Sequence, residues 1–296
     1  MDTQPSNSTT TRPLWRTQRW LMLRRLSQAT VLTLFLAGPW LGLWLVKGNL
    51  NFSLTLGILP LADPFILLQS LLSRHGPERQ ALIGAALVLI FYLLAGGRVY
   101  CSWVCPMNPV TDAAHWLRRR LGIRTSAHLS RQTRYWLLGL ALLLAVLSGT
   151  LAWELVNPVS MLHRGLVFGM GATWAVVVAI FLFDLFVTDR GWCGHLCPTG
   201  ACYSLLGRFS LIRVQTAGRN ACDDCMDCFA VCPEPLVIRA PLKGVDSPPL
   251  ILSSNCTNCG RCIDVCARNV FSFGSRFHSP PKPGRPSAVP DDQHLS

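Results

Sequence analysis

Charge is scarce in this chain, and negative charge is scarcest. Only 14% of its 296 residues are charged, and 15 acids stand against 27 lysines and arginines, a formal net charge of +12. Half the residues are apolar and the mean hydropathy is +0.35. So apolar a chain argues against an ordinary soluble domain and for a membrane protein. The basic excess does not mark a nucleic-acid-binding domain, because the arginines flank apolar segments; orientation in a bilayer explains it better. No cleavable signal peptide is expected either. The first apolar run starts near Ser27, behind a polar, Arg-rich leader, and is long enough to span.

Four runs qualify as spans: about Ser27–Val46, Gln80–Gly96, Tyr135–Trp153 and Leu166–Val187. The apolar stretch Leu50–Ser73 holds Asn51, Pro60, Asp63 and Pro64 and reads as a re-entrant or interfacial segment. Arginines crowd the leader and the loop 97–134, whereas the loop 154–165 carries Arg164 alone. That asymmetry places both rich segments and the C-terminal domain in the cytoplasm. The expectation is a multi-pass α-helical protein of the bacterial inner membrane with both termini cytoplasmic. Residues 1–26 form the leader and 27–209 a domain of four transmembrane helices in two pseudo-repeats. Residues 210–274 form a small cytoplasmic α+β two-cluster ferredoxin-type domain, and 275–296 a disordered, Pro-rich tail.

The repeat is visible in the letters. GRVYCSWVCP and DRGWCGHLCP share an Arg, an aromatic, two Cys and a Pro in register. Asp63-Pro64 precedes the first at nearly the distance by which Asn157-Pro158 precedes the second. A basic helix follows the first motif, where Thr111–Gly122 sets Trp116, Leu117 and Leu121 against Arg118–Arg120. It reads either as a helix on the inner leaflet or as a plain cytoplasmic hairpin.

Twelve of the thirteen cysteines fall in regular clusters, which reads as metal ligation and not as a disulfide framework. Residues 222–233, CDDCMDCFAVCP, and 256–267, CTNCGRCIDVCA, both have the Cys-x2-Cys-x2-Cys-x3-Cys spacing of bacterial ferredoxins. Three thiolates on one tight loop reach three irons of a cubane, and the fourth iron takes its ligand from the other run. Cys222, Cys225, Cys228 and Cys266 are thus expected to hold one [4Fe–4S] cluster, and Cys256, Cys259, Cys262 and Cys232 the second. Zinc, the alternative, normally uses two separated Cys pairs. Ala267 stands where the first run has Pro233, which puts the turn after Cys266 in question. Asp223, Asp224 and Asp227 flank the first loop, Arg261 and Arg268 the second. The second-loop cluster is therefore expected to have the higher potential, unless these charges are solvated surface or a docking face.

In the two CxxxCP motifs the thiols are four residues apart, hence on one face of a helix that the proline ends. Cys101, Cys105, Cys193 and Cys197 together make a ligand set for a third metal or cluster; alternatively they are inert or reversible thiols. Cys202, the thirteenth, reads as a packed small side chain.

The segments QATVLTLFLAGPWLGLWLVKGNL, LGILPLADPFILLQSLL and GGRVYCSWVCPMNPVTDAAHWLRRRLGI, with the two cluster runs, resemble the NapH family. These are ferredoxin-type membrane subunits of periplasmic nitrate reductase systems. The resemblance spans about Arg16 to Gly274 and implies quinol dehydrogenation. Electrons would leave the membrane quinol pool and pass, with a periplasmic iron–sulfur partner resembling NapG, towards nitrate reductase. No nucleic-acid partner is implied. An assembly or redox-sensing protein and a passive anchor for redox partners are the competing readings. A quinol oxidase also needs a proton acceptor. Asp63, Glu154 and His163 towards the outer face, and Asp184 and His195 towards the inner face, are the ionisable candidates, each with an interfacial snorkelling alternative. The cluster count is directly measurable: iron and sulfide analysis of anaerobically purified protein should give about twelve irons per chain, and about eight would remove the third cluster.

Overall fold

The computed structural model describes residues 18–123, 125–169, 171–244 and 247–277. The leader before residue 18 and the tail from residue 278, with the disorder expected of it, lie outside the described residues.

The helical part runs twice through one order of elements. In the first half, α1 (Arg19–Leu41) ends where Gly42 takes a left-handed conformation, φ 72°. A three-stranded antiparallel meander follows, β1 (Val46–Gly48), β2 (Phe52–Thr55) and β3 (Leu59–Ala62), so that the stretch Leu50–Ser73, read as re-entrant or interfacial, holds two of its strands and then a helix. Three residues, Leu56 to Ile58, turn β2 into β3; Leu56 and Gly57 are left-handed, at φ 53° and 73°, and the Ile58 N–H bonds the Thr55 carbonyl at 3.1 Å. Then come α2 (Pro64–Leu72) and α3 (Arg79–Ala95), a π-helical turn at Tyr100–Val104, and α4 (Met107–Arg120).

The second half repeats the plan with α5 (Thr133–Ser148), α6 (Pro158–Phe168) and α7 (Gly171–Leu182). Two π-helical turns follow, Phe183–Val187 and Trp192–Leu196, and then α8 (Pro198–Gly207). The duplicated dipeptides are matched N-caps. Asp63 accepts from the Phe65 N–H at 2.7 Å and Asn157 from the Val159 N–H at 3.1 Å, each with proline at the first helical position.

The C-terminal unit pairs β4 (Ile212–Gln215) with β5 (Ser272–Ser275), antiparallel, with Val214 opposite Phe273. Three short helices, α9 (Asp227–Val231), α10 (Leu236–Lys243) and α11 (Arg261–Val265), complete it. Val214, Ile238, Ile251, Val270 and Phe271 form its core.

The expectation of four transmembrane helices, and with it the multi-pass inner-membrane location and its orientation, is corrected. Among the described residues no helix is long and apolar enough to cross a membrane. The apolar runs are cut shorter than they look. α3 has 17 residues, α5 16 and α7 12. At about 1.5 Å per residue none reaches the ~30 Å of a bilayer core. α1 is longer, 23 residues, but Arg19, Arg24, Arg25 and Gln28 interrupt its first half and Pro39 its second. Large apolar side chains such as Ile90, Phe91, Leu143 and Leu147 remain exposed on α3 and α5. The basic helix α4 exposes Trp116, and Leu121 at its C-cap is exposed too, but Arg118 is buried and donates to the Leu185 carbonyl at 2.7 Å.

The two parts are locked together by buried polar contacts. Asp264 of α11 accepts from the Trp20 and Leu21 N–H groups at 3.1 Å and so caps α1 from another element. Gly97 lies so close to α8 that a Cβ there would sit 2.0 Å from the Tyr203 carbonyl oxygen. Glu234, two residues after Cys232, is buried against Arg98 at 3.1 Å, Arg134 at 3.3 Å and Arg131. Arg98 and Arg134 are themselves buried and reach Asn255 of the ferredoxin-type unit. Removing the lone carboxylate leaves three like charges facing one another. Glu234→Ala is expected to cost ~3–5 kcal/mol in unfolding experiments, and Glu234→Gln, which keeps the shape, less.

Candidate functional site

The two ferredoxin-type loops fold alike. Each places a left-handed residue two positions after its first cysteine, Asp224 at φ 57° and Asn258 at 47°. Each places another at the N-cap of its short helix, Met226 at 63° and Gly260 at 73°. Asp, Asn and Gly tolerate this region and Met does so rarely. The turns curl each loop around a cavity that its first three thiols line. Cys222, Cys225, Cys228 and Cys266 line one cavity, and Cys232, Cys256, Cys259 and Cys262 line another. Each cavity therefore takes three thiols from one loop and one from the other. A four-thiol set around a void is the donor chemistry of a [4Fe–4S] cluster. Among the described residues no three His, Cys, Asp or Glu side chains are grouped as a site for a single metal ion.

Ala267 does not disturb its turn. Cys266 has φ −73° and ψ 108°, close to the −71° and 130° of Cys232, which precedes Pro233. The charge asymmetry between the loops is partly cancelled. Arg268 pairs with Asp223 at 3.3 Å, Lys243 pairs with Asp224, and Arg261 is bound by Asp112 of α4. Burial pushes the Cys259 thiol up, but Arg261 and Arg24 outweigh it and hold the thiol below its ordinary value.

The CxxxCP motifs are π-helical where an α-helix was expected. The Cys105 N–H bonds the Tyr100 carbonyl and the Cys197 N–H the Trp192 carbonyl, both at 2.9 Å, an i to i+5 pattern. Cys105 and Cys197 then turn extended, at ψ 120° and 112°, before their prolines open α4 and α8. The two motifs meet. After burial, the Cys193 thiol is held above its ordinary range most by Cys105 and then by Cys197, and Cys105 most by Cys101. Cys101 and Cys193 also line a junction cavity with Cys259 of the second loop.

On the far side of the first motif lies an apolar cavity of about 550 Å³, bounded by α1, α3 and the β1–β3 sheet. Its polar end is made by Asp63, Tyr92, Tyr100 and Tyr203. Asp63 Oδ1 accepts from the Tyr203 hydroxyl at 3.0 Å. The Tyr203 ring centroid lies 5.0 Å from that of Tyr92 and 5.2 Å from that of Tyr100. Burial pushes the Asp63 carboxyl up to about 6, against the opposing pull of the Phe65 N–H and the Tyr203 hydroxyl.

Comparison with known proteins agrees with this arrangement. Residues 81–124 and 170–215 each match a family described as a 4Fe-4S binding domain, and 215–267 a 4Fe-4S dicluster domain. The first two matches contain the CxxxCP motifs. The ferredoxin-type protein NapH of Haemophilus influenzae is 53% identical over 89% of this chain and 92% of its own length. The chain belongs to the NapH family of ferredoxin-type proteins. NapH of Escherichia coli is 51% identical over 90% of the chain and 92% of its own length. The methylamine utilization ferredoxin-type protein MauN of Methylorubrum extorquens is 54% identical over the same shares. No solved structure matches. The chain is thus a ferredoxin-type electron-transfer protein with 4Fe-4S binding domains.

Of the five ionisable candidates in this NapH-type chain, only Asp63 lines the apolar cavity. Glu154 accepts from Asn51 and from Arg164. His163 is buried edge-on to Phe35, with Nε2 unpartnered among the described residues. Asp184 is buried and accepts from the Trp192 N–H at 2.9 Å, which anchors the second motif. His195 sits within that motif, its Nδ1 unpartnered among the described residues. Cys202 is half-buried against the cluster around Phe65 and Leu138. The tyrosines were not singled out in the sequence, although a signal existed: the chain has only four, and two of them fall beside or just after a CxxxCP motif.

A buried carboxyl with a raised folded-state pKa stabilises the fold most when protonated. The contribution is complete below about pH 4 and is lost as the pH rises through about 6. The parent protein should therefore lose up to ~3 kcal/mol of unfolding free energy across that window, and Asp63→Asn should flatten the loss. Parallel denaturation curves at pH 4 and pH 7 measure the difference.

Proposed function

We propose that the chain is an electron-transfer subunit that oxidises a quinol and delivers its electrons towards a periplasmic nitrate reductase. One observation carries the reading: neighbouring cavities are walled by adjacent or shared residues. Tyr100 lines the apolar cavity, its neighbour Cys101 lines the junction cavity, and Cys259 on that junction belongs to the second-loop set beside the first. The proposed ligand sets are Cys222, Cys225, Cys228 and Cys266; Cys256, Cys259, Cys262 and Cys232; and, as a third site, Cys101, Cys105, Cys193 and Cys197. Bound there, iron–sulfur clusters supply one-electron acceptors.

The chain's own residues do the rest. Apolar walls from α1 and α3 receive the ring and its tail, and a cavity of this size suits such a ligand. A quinol sheds protons as it gives up electrons, and Asp63, ionising near neutral pH, is the carboxylate at the cavity that takes one. The Tyr203 hydroxyl orients that carboxylate. Burial keeps the Tyr92 and Tyr100 phenols protonated, so they act as donors to a ring oxygen, while the Tyr203 phenol, also kept protonated, spends its hydrogen on Asp63.

A protein resembling NapG is the proposed next carrier. Service in methylamine utilization is the second reading, because identity to MauN is as high as identity to NapH. The two are separated by which purified partner reoxidises the reduced protein. The test of quinol oxidation is rapid mixing of a short-chain quinol with oxidised protein. Visible absorbance should bleach on a turnover timescale. Cys101→Ser combined with Cys193→Ser should slow bleaching by quinol about 100-fold while dithionite still bleaches fully. Slow or absent bleaching of the parent protein would favour an assembly or sensing role.

A further inference from the structure

Buried charge at the junction does not balance among the described residues. Two carboxylates lie there. Asp112 binds Arg25 and Arg261, and Glu234 binds Arg98, Arg131 and Arg134. Arg24 is left over. It projects from α1 into the junction cavity and has no solvent exposure, and its Nε, Nη1 and Nη2 have no hydrogen-bond partner among the described residues. Arg190, lining the same cavity, is nearly as buried and reaches one carbonyl, that of Val231, at 3.3 Å.

A wholly buried guanidinium with no partner is costly, and native structures avoid it unless an anion sits beside it. The other wall groups of this cavity include Cys101, Cys193 and Cys259. Thiolate-ligated iron–sulfur clusters are anionic and gain a further negative charge on reduction, so a fixed cation beside one favours the reduced state. The first-loop set lies away from this cavity, its flanking charges largely paired.

We propose that Arg24 is the counter-cation that sets the reduction potential of the centre held by Cys232, Cys256, Cys259 and Cys262. The inference rests on the cluster assignment made under the proposed function. It raises the potential of the second-loop centre through a residue about 235 positions before Cys259 in sequence, in addition to Arg261, whose charge Asp112 offsets in part, whereas Arg268 is paired with Asp223 of the other loop.

The test is a redox titration of anaerobically purified full-length protein, followed by electron paramagnetic resonance. In Arg24→Gln the reduced-to-oxidised ratio of one centre at fixed poise should fall about tenfold, a shift of about 59 mV for a one-electron couple. Arg24→Lys, which keeps the charge, should stay within about threefold of the parent, and the first-loop centre should not move. Unchanged potentials in Arg24→Gln, or an equal shift in Arg24→Lys, would overturn the proposal. Should Arg24→Gln not retain its iron, Arg24→Met decides: it keeps the apolar stem of the side chain without its charge, the same potential should fall, and no movement would overturn the proposal. Absence of iron from the parent protein would remove the cluster assignment itself, whereas iron with an unmoved potential would remove only the role of Arg24.

Discussion

Buried positive charge at the seam between the helical part and the ferredoxin-type unit constrains the rest of the structure. A guanidinium out of water must meet an anion, and the chain has few acids to offer. Glu234 therefore serves three arginines and Asp112 two. Those contacts draw α1, α4, the start of α5 and both cysteine motifs onto one small volume. The arginines that looked like topological signals are largely structural: Arg98, Arg118 and Arg134 are buried and hold backbone carbonyls or carboxylates.

Around that seam the backbone departs from ordinary helix wherever a thiol has to be presented. π-helical turns carry Cys101 and Cys193, and the extended residues Cys105 and Cys197 close them. Left-handed residues wrap the two loops around their cavities. Such conformations cost free energy individually and persist where surrounding contacts over-determine them. Here those contacts are the buried bonds from Arg98 and Arg134 to the backbone of the second motif, and from Gln28 and Ser102 around the first.

The apolar cavity shows the other use of the chain's hydrophobicity. Residues of α1, α3 and the small sheet enclose it, and its one carboxylate caps α2. The Asp63-Pro64 pair was visible in the sequence as half of a repeat. Its partner Tyr203 was not, because the two are 140 residues apart and meet only when α8 packs beside α3. The meander β1–β3 was hidden for a related reason: its strands are only three or four residues long, too short for alternation to stand out against an apolar background.

Cysteine spacing, the duplicated halves and the ferredoxin-type unit were legible because ligand sets and caps are local patterns, separated by a few residues and marked by Pro, Gly or Cys. Membrane spans were not, because hydropathy records which residues avoid water but not where a helix stops. The stops at Gly42, at the π turns and at the prolines decided helix length. How the CxxxCP motifs meet the second loop, which carboxylate meets a tyrosine and which arginine is left without a partner among the described residues depend on contacts between residues far apart in the chain. Only packing brings those together, and so only the tertiary structure could decide them.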